Sequence, residues 1–209
     1  YDDTLHGLHV ALYDNRNLSG KPKLLTLGLP TVGDGSVNKD WGAAAPATTA
    51  PGGSVIPADN WSMRMTGLVT FPTTGDYVFQ TVADDGTRVY VDDQLVVDNW
   101  IGQIAAPSTT AVIFTATAGD VKRIRVEYFE GTSNSSLQLK WMLPGATATT
   151  VVPGSALSPN YGLANKVVTD DSAPTGSGLS DLQVPDAVTT LTYQHPWLGA
   201  VTAPNHGCW

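Results

Sequence analysis

Residues 75–99 read GDYVFQTVADDGTRVYVDDQLVVDN, in which three short segments are separated by two acidic turns. Residues 77–82 alternate between apolar and more polar side chains, and this period of two is typical of a β-strand. The pair Asp92-Asp93 separates the second and third segments, and aspartate tolerates the left-handed backbone of a tight hairpin turn. The stretch therefore predicts three consecutive β-strands.

Similar segments lie on both sides of this stretch, with turn residues between them. Their spacing is typical of a β-sandwich or barrel, and we expect an all-β, antiparallel sandwich. In the segment before Phe129, alternation predicts that Ile124, Val126 and Tyr128 face the core, while Arg123, Arg125 and Glu127 face water. The predicted strands are residues 8–13, 61–71, 75–82, 87–91, 94–99, 108–115, 121–129 and 137–142.

The composition agrees with a loop-rich β-protein and excludes several classes of partner. Of 209 residues only 14% are charged, and 21 are Gly and 14 are Pro. The net charge of -8 repels phosphate backbones, so we expect no nucleic-acid partner. The single cysteine, Cys208, excludes an internal disulfide, and no apolar run approaches the about 20 residues of a membrane span.

The composition changes after Pro144-Gly145, and we place a domain boundary near residue 155. Residues 1–155 are predicted to form the sandwich. Residues 156–209, with possible strands at 162–169 and 187–193, are too few to bury a core alone. We expect an extended, partly irregular appendage, either a β-hairpin or a linker to a further domain. The chain start lacks a signal-peptide pattern, so we expect a domain of a larger secreted or surface protein.

Four Asp-Asp pairs occur, but only Asp84-Asp85 is followed by glycine and lies between two strong strand segments. Adjacent carboxylates repel, and in a regular strand they point to opposite faces. A hard cation removes this conflict, because calcium takes about six to eight oxygen ligands from carboxylates, carbonyls and water. The pair is a plausible half of a calcium site, and its convergence requires an unusual backbone such as a cis peptide.

Several motifs together resemble the signature of the protective-antigen (PA14) domain family, over roughly residues 5–145. The strongest match is formed by three consecutive segments, residues 75–79, 84–92 and 96–100. It begins with Gly75-Asp76-Tyr77 and contains Asp84-Asp85-Gly86. Further matches, in order along the chain, are Gly7-Leu8, residues 13–15, residues 63–67, residues 124–131 and Leu139-Lys140-Trp141.

The resemblance implies a β-sandwich of secreted toxins, glycosidases and adhesins, several of which bind glycans through calcium. In those members a cis-linked aspartate pair holds the ion, and Asp84 and Asp85 match it. Further ligands come from the loop after the strand that ends at Tyr128-Phe129. There Glu130 replaces the asparagine of fungal adhesins, and we take it as the third metal ligand. The expected ligand-binding residues are Asp84, Asp85, Gly131, Ser133 and Asn134.

Other chemistry-bearing residues have a structural interpretation. Tryptophans in strands mostly fill cores, so we assign Trp61, Trp100 and Trp141 to the core and consider Trp41 and Trp197 the better candidates for sugar stacking. Arg88, Asp98 and Asn99 are expected to form surface pairs or turn caps. His6, His9, His195 and His206 have no zinc-site spacing. Asp85 and Glu130 can also be interpreted as the acid and base of a glycosidase. Metal binding explains the same carboxylate oxygens better, so we do not expect an enzyme.

Two functions follow as hypotheses. The first is a calcium-dependent, glycan-binding module of an extracellular bacterial adhesin, toxin or Rhs-type protein. The second is a structural module that packs against neighbouring domains of the same polypeptide, in which calcium only rigidifies loops. Residues 160–163 and 193–199 are faintly similar to the sequence that precedes the tyrosine-aspartate repeats of Rhs proteins.

Overall fold

Two antiparallel β-sheets contain nearly all of the regular structure in Thr4–Pro159, which is one structural unit. The computed structural model of the chain describes residues 5–30, 32–46, 56–108, 112–159, 190–195 and 199–204. The two sheets form a sandwich, so the predicted all-β, antiparallel sandwich is confirmed.

The strands of the sandwich are β1 His9–Tyr13, β2 Leu24–Leu27, β3 Asn38–Gly42, β4 Trp61–Thr70, β5 Gly75–Asp84, β6 Gly86–Val91, β7 Gln94–Asn99, β8 Ala106–Pro107, β9 Ile113–Ala116, β10 Val121–Glu130, β11 Ser135–Met142, β12 Thr150–Val151 and β13 Leu157–Ser158. The first sheet has the strand order β2-β1-β4-β10-β6-β7, with β13 beside β4. The second has the order β12-β11-β5-β8, with β3 beside β11 and β9 beside β5. A single 3-10 turn, Gly154–Ala156, is the helical part of the described residues.

The core lies between the sheets and is filled by the inward side chains of alternating strands. In β5 and β11 every second residue is buried. Burial of each large apolar side chain contributes about 1.5 to 3 kcal/mol to folding. Trp61 and Trp141 are among the largest fully buried side chains, which confirms their assignment to the core. The turn between β6 and β7 has the predicted left-handed backbone, with φ of 48° at Asp92 and 68° at Asp93.

Several details differ from the sequence prediction. Strands β2, β3, β8, β12 and β13 were not predicted, and the predicted strand at 108–115 overlaps only β9. The segment Asn38–Gly42, for example, has no clear apolar alternation and is defined by its pairing with β11. Glu127 was predicted to face water, but it is only 6% exposed. Its Oε1 accepts a 3.0 Å hydrogen bond from Arg64 Nε, and Arg125 Nε lies 3.6 Å away. Two arginines therefore compensate the buried charge.

The chain passes from one sheet to the other at the same end of the sandwich several times. The step from β5 to β6 occurs at Asp85, and the step from β10 to β11 occurs in residues 131–134. These two crossings are adjacent because β6 pairs antiparallel with β10, which places Gly86 opposite Phe129. The ends of β1 and β7 lie at this end too, since Tyr13 pairs with Ser62 and Asn99 with Thr87.

A second unit comprises Tyr1–Asp3 and Asn160–Trp209. Its described part is an antiparallel hairpin of β14, Thr190–His195, and β15, Gly199–Pro204. The predicted strand at 187–193 overlaps β14, whereas the one at 162–169, together with Trp197, His206 and Cys208, lies outside the described residues. The boundary near residue 155 stays a prediction. No helix among the described residues has the length and apolar character needed to cross a membrane.

Candidate metal centre and adjoining cleft

Asp84 and Asp85 lie where the chain leaves β5 and enters β6, and the peptide bond between them is cis. Their side chains do not point to opposite faces as they would in a regular strand. One carboxylate oxygen each from Asp84, Asp85 and Glu130 lies within 4.8 Å of the others. The predicted convergence of the aspartate pair, and its association with Glu130, are thus present in the structure.

Main-chain N–H groups fix the two aspartates. Asp85 is 8% exposed, and its Oδ1 and Oδ2 accept hydrogen bonds from the N–H groups of Gln103, at 2.8 Å, and Gly131, at 2.7 Å. The main-chain N–H of Ala105 lies close enough to the Asp84 carboxyl to lower its pKa, against the larger effect of burial. Because each carboxylate oxygen has two acceptor positions, these bonds leave lone pairs for a further partner.

Glu130 is fully buried, with 0% of its surface exposed. Its Oε2 lies 3.4 Å from the Tyr128 hydroxyl, and its Oε1 has no hydrogen-bond partner among the described residues. Burial, together with the charges of Asp85 and Asp84, raises the pKa of Glu130 to about 7. An uncompensated buried carboxylate is unfavourable, so this side chain requires either a proton or a cation.

Burial and the charge of Asp85 also raise the pKa of Asp84. The pKa of Tyr128 is raised by burial first and by the neighbouring charge of Glu130 second, so its hydroxyl remains protonated. That hydroxyl donates a hydrogen bond to the main-chain carbonyl of Asp84. The centre therefore concentrates negative charge in a place where each acidic group favours the neutral form of its neighbour.

The three carboxylates fit a calcium ion. Two oxygens that each lie about 2.4 Å from one ion are separated by at most about 4.8 Å, which the observed cluster satisfies. All three groups are hard oxygen donors, and no thiol or imidazole belongs to the cluster. The unpartnered Glu130 Oε1 is the kind of buried atom that a bound cation satisfies.

The loop after β10 contacts this centre mainly through Gly131. Its N–H holds Asp85, and its carbonyl accepts a hydrogen bond from the Asn60 N–H at 2.8 Å. Ser133 has a positive φ of 89°, and its N–H donates to the exposed Asp59 at 3.0 Å. Asn134 is exposed. The assignment of Gly131, Ser133 and Asn134 as ligand-binding residues stays a prediction.

Gly86 is explained by packing rather than by the metal. A Cβ at this position would lie 2.2 Å from Cε1 of Phe129, the residue opposite in the β6–β10 pairing. No side chain fits there without displacing the ring. The glycine of the Asp84-Asp85-Gly86 run therefore allows the ring of Phe129 to lie against the backbone beside the centre.

An open cleft of about 550 Å³ adjoins the centre and was not predicted from the sequence. Trp100 and Phe129 form its aromatic part, with ring centroids 4.8 Å apart, and Arg16 lies over the Phe129 ring at 4.8 Å. Trp100 was predicted to lie in the core, but it is half-buried at the cleft. The cleft is lined by Asp14, Asn15, Arg16, Asn17, Asn60, Trp100, Ile101, Gly102 and Phe129.

Trp41, a predicted candidate for sugar stacking, is not among the residues that line the cleft. Trp41 packs edge-on against Trp61 at 5.4 Å and lies 5.9 Å from the Tyr128 ring, behind the metal centre. Arg88 and Asp98 form a cross-strand ion pair at 3.2 Å, as predicted. Two of the motif matches, residues 13–15 and 96–100, are the sequence signal that indicates the cleft. Asp14, Asn15 and Trp100 lie within these segments and line the cleft, and the lining residues Arg16, Asn17, Ile101 and Gly102 follow them directly.

The family model of the PA14 domain matches residues 5–155. This chain belongs to the PA14 domain family. The PA14 domain is 31% identical over 129 residues to anti-sigma-I factor RsgI3 of Acetivibrio thermocellus, a match that covers 62% of this chain and 19% of that protein. A solved anti-sigma factor domain-containing protein is similar with a TM-score of 0.64 and 28% identity, over 75% of this chain and 49% of the other.

The solved PA14 sugar-binding domain from an RTX adhesin has the same fold, with a TM-score of 0.58 and 17% identity, over 75% of this chain and all of that domain. At that identity the likeness concerns the fold alone. This chain spans about a fifth of the curated relative and about half of the anti-sigma factor structure.

Proposed function

We propose that this PA14 domain is a calcium-dependent carbohydrate-binding module. The observation that carries the proposal is the buried, unpartnered Oε1 of Glu130, which belongs to a cluster with Asp84 and Asp85 beside an open cleft. An acidic cluster alone is common on protein surfaces. A fully buried carboxylate with one unpartnered oxygen needs either a proton or a cation, and the two neighbouring carboxylates favour the cation.

Asp84, Asp85 and Glu130 would hold the ion. Calcium would act as a hard Lewis acid, and sugar hydroxyl oxygens would occupy the coordination positions that the protein leaves free. The N–H groups of Gln103 and Gly131 would keep the Asp85 carboxylate aimed at the ion, because their hydrogen bonds fix both of its oxygens.

A carbohydrate is the ligand class that the cleft favours. Sugars present vicinal hydroxyls to polar groups and C–H faces to aromatic rings, and the cleft offers both kinds of surface. The half-buried Trp100 provides the ring, since Phe129 is only 4% exposed and lies under Arg16, and Asn15, Asn17 and Asn60 are the amide residues among those that line the cleft. Gly102 lines the cleft and also lies next to the metal centre, since a Cβ at this position would be 3.4 Å from Asp85 Oδ1.

The alternative is a structural module in which calcium only rigidifies the loops. It predicts the same response of stability to calcium but no sugar binding. The open cleft beside the centre favours the binding module, because a purely structural ion is usually enclosed by protein oxygens. No set of residues suited to catalysis accompanies the carboxylates among the described residues, and we propose a binding role without enzymatic activity.

The setting of the module is part of the proposal. An extracellular or cell-surface location fits a domain that uses calcium, which is abundant outside cells. Because one relative is named as an anti-sigma factor, we propose that the domain belongs to a regulatory protein. An adhesin, toxin or Rhs-type parent stays a prediction from the sequence.

The test combines a thermal melt with a glycan array, each with 1 mM calcium and with EDTA. For a Kd of about 10 µM, 1 mM calcium contributes about 2.7 kcal/mol. This corresponds to a rise in Tm of about 5 to 10 °C. Glu130→Gln should remove the rise while the domain stays folded, because glutamine resembles the protonated side chain. Asp93→Asn, in an exposed turn, is the matched control and should keep it.

The array separates the two hypotheses. Glycan signals that depend on calcium and disappear in Glu130→Gln support the binding module. A calcium-dependent Tm without any glycan signal supports the structural module. A Tm that does not respond to calcium contradicts the metal assignment itself.

A further inference from the structure

Arg16 differs from the other arginines of the chain in having no carboxylate partner. The structure describes all five arginines, and Arg64, Arg88, Arg123 and Arg125 each lie within 4.0 Å of an Asp or Glu oxygen. Arg16 has no such partner among the described residues, although the protein has 19 acidic residues. Its exposed guanidinium retains donors that are available to an external ligand.

The position of Arg16 places these donors between the cleft and the metal centre. Its Cζ lies 4.8 Å from the centroid of the Phe129 ring, so one face of the guanidinium is covered by the aromatic side chain. On the side of Gly131, the position that a Cβ would occupy is 3.6 Å from Arg16 Nη2 and 3.0 Å from Asp85 Oδ2. Because Gly131 has no side chain, the space next to Arg16 and Asp85 is not filled.

The loop that carries Arg16 is held in place by hydrogen bonds. Asn15 Oδ1 accepts from the N–H groups of Asn17, at 3.1 Å, and Ser19, at 3.2 Å. The hydroxyl of the fully buried Ser62 donates to the Asn15 carbonyl and accepts from the Leu18 N–H. A side chain on a loop with so many internal bonds binds a ligand with little further ordering of the backbone.

The acidic residue that lines the cleft next to Arg16 already has a cationic partner. This residue is Asp14, and Lys23 Nζ lies 3.3 Å from its Oδ2. Arg16 is therefore the cationic residue of the cleft lining, and no described carboxylate lies within 4.0 Å of it. A planar guanidinium of this kind pairs best with a carboxylate, which accepts two parallel hydrogen bonds from it.

We propose that Arg16 recognises the carboxylate of an acidic sugar, so that the domain binds uronic-acid glycans in preference to neutral ones. The inference rests on the proposed carbohydrate-binding function and names the substrate class of that site. The ion and the sugar hydroxyls provide the attachment, and Arg16 provides the selection for charge.

The test measures binding of matched pairs of methyl glycosides by calorimetry at a fixed free calcium concentration. Galacturonic acid is compared with galactose, glucuronic acid with glucose, and mannuronic acid with mannose. Each pair differs mainly in a carboxylate that replaces the hydroxymethyl group. We expect at least one acid to bind about 10 to 100 times more tightly than its neutral partner, the range of a charged hydrogen-bonded pair.

Arg16→Gln should bring the ratio of the acid's affinity to the neutral sugar's affinity to about one, whatever its effect on either affinity alone, and a calcium-dependent rise in Tm verifies that the variant is folded. Arg16→Lys should keep part of the preference, because lysine retains the charge but not the fork. Equal affinities for acids and neutral sugars, or a preference that survives in Arg16→Gln, would overturn the inference while the proposed function stands. If no sugar of either kind binds with calcium present, both are overturned.

Discussion

The N–H of Gly131 donates a 2.7 Å hydrogen bond to Oδ2 of Asp85, although the two residues are 46 positions apart in sequence. This bond joins two crossings between the sheets and orients one carboxylate of the metal centre. A side chain at the same glycine would be a tight fit, since a Cβ would lie 3.0 Å from that oxygen and would require the carboxylate to shift.

Gly131→Ala should therefore displace the Asp85 carboxylate and weaken calcium binding about 10-fold, as changes in groups that orient metal ligands commonly do. Calorimetric titration with calcium measures the effect. Gly33→Ala is the control, because a Cβ at Gly33 meets nothing within 4 Å. Equal calcium affinity in the wild type and Gly131→Ala would show that the Asp85 orientation does not depend on this contact.

The stability of the calcium-free protein should fall as the pH rises through the ionisation of Glu130. Burial and the neighbouring aspartates raise its pKa from 4.5 to about 7, so the folded state binds this proton more tightly than the unfolded chain. The resulting stabilisation is fully present below about pH 4.5 and is lost as the pH rises through about 7. It amounts to about 3 kcal/mol at most.

Urea unfolding in EDTA at several pH values measures this effect. The difference between the wild type and Glu130→Gln isolates it, because glutamine does not titrate while all other groups remain. A difference that is constant from pH 4 to pH 8 would contradict the raised pKa. Calcium at saturating concentration should remove the loss of stability at high pH.

Tyr128→Phe should destabilise the domain by about 1 to 2 kcal/mol, because the carbonyl of Asp84 loses the hydroxyl that donates to it in a buried environment. Denaturant unfolding with an unchanged slope measures this cost. Tyr90→Phe is the control, since the Tyr90 ring lies under Arg125 at 4.0 Å and uses its face rather than its hydroxyl. Similar losses in both variants would assign no special role to the Tyr128 hydroxyl.

Gly86→Ala should cost about 1 to 3 kcal/mol through overpacking against Phe129. In a Phe129→Ala background most of this cost should disappear, because the ring that the new methyl group meets is absent. A double-mutant cycle of unfolding free energies measures the coupling. Additive effects would mean that Gly86 is required for its backbone rather than for the space beside the ring.

The sequence alone predicted most strands of the sandwich, since each depends on alternation over a few neighbouring residues. Strand β7, Gln94–Asn99, has the predicted bounds, and the Asp92-Asp93 turn has the predicted backbone. The sequence also indicated that the Asp84 and Asp85 carboxylates converge, because adjacent charges between two strands require a partner. The resemblance to the PA14 family added Glu130, whose position beside the pair no local pattern indicates.

The tertiary structure determines the burial of individual side chains and the composition of the cleft, which local sequence patterns do not show. Glu127 was predicted to face water, and its burial depends on Arg64 of a neighbouring strand. The cleft combines Arg16, Trp100 and Phe129, which come from three separate segments of the chain. The physical reason is the same in both cases. Alternation and turn residues act between near neighbours in sequence, whereas the packing of a side chain depends on which strands pair and at which end of the sandwich their loops meet.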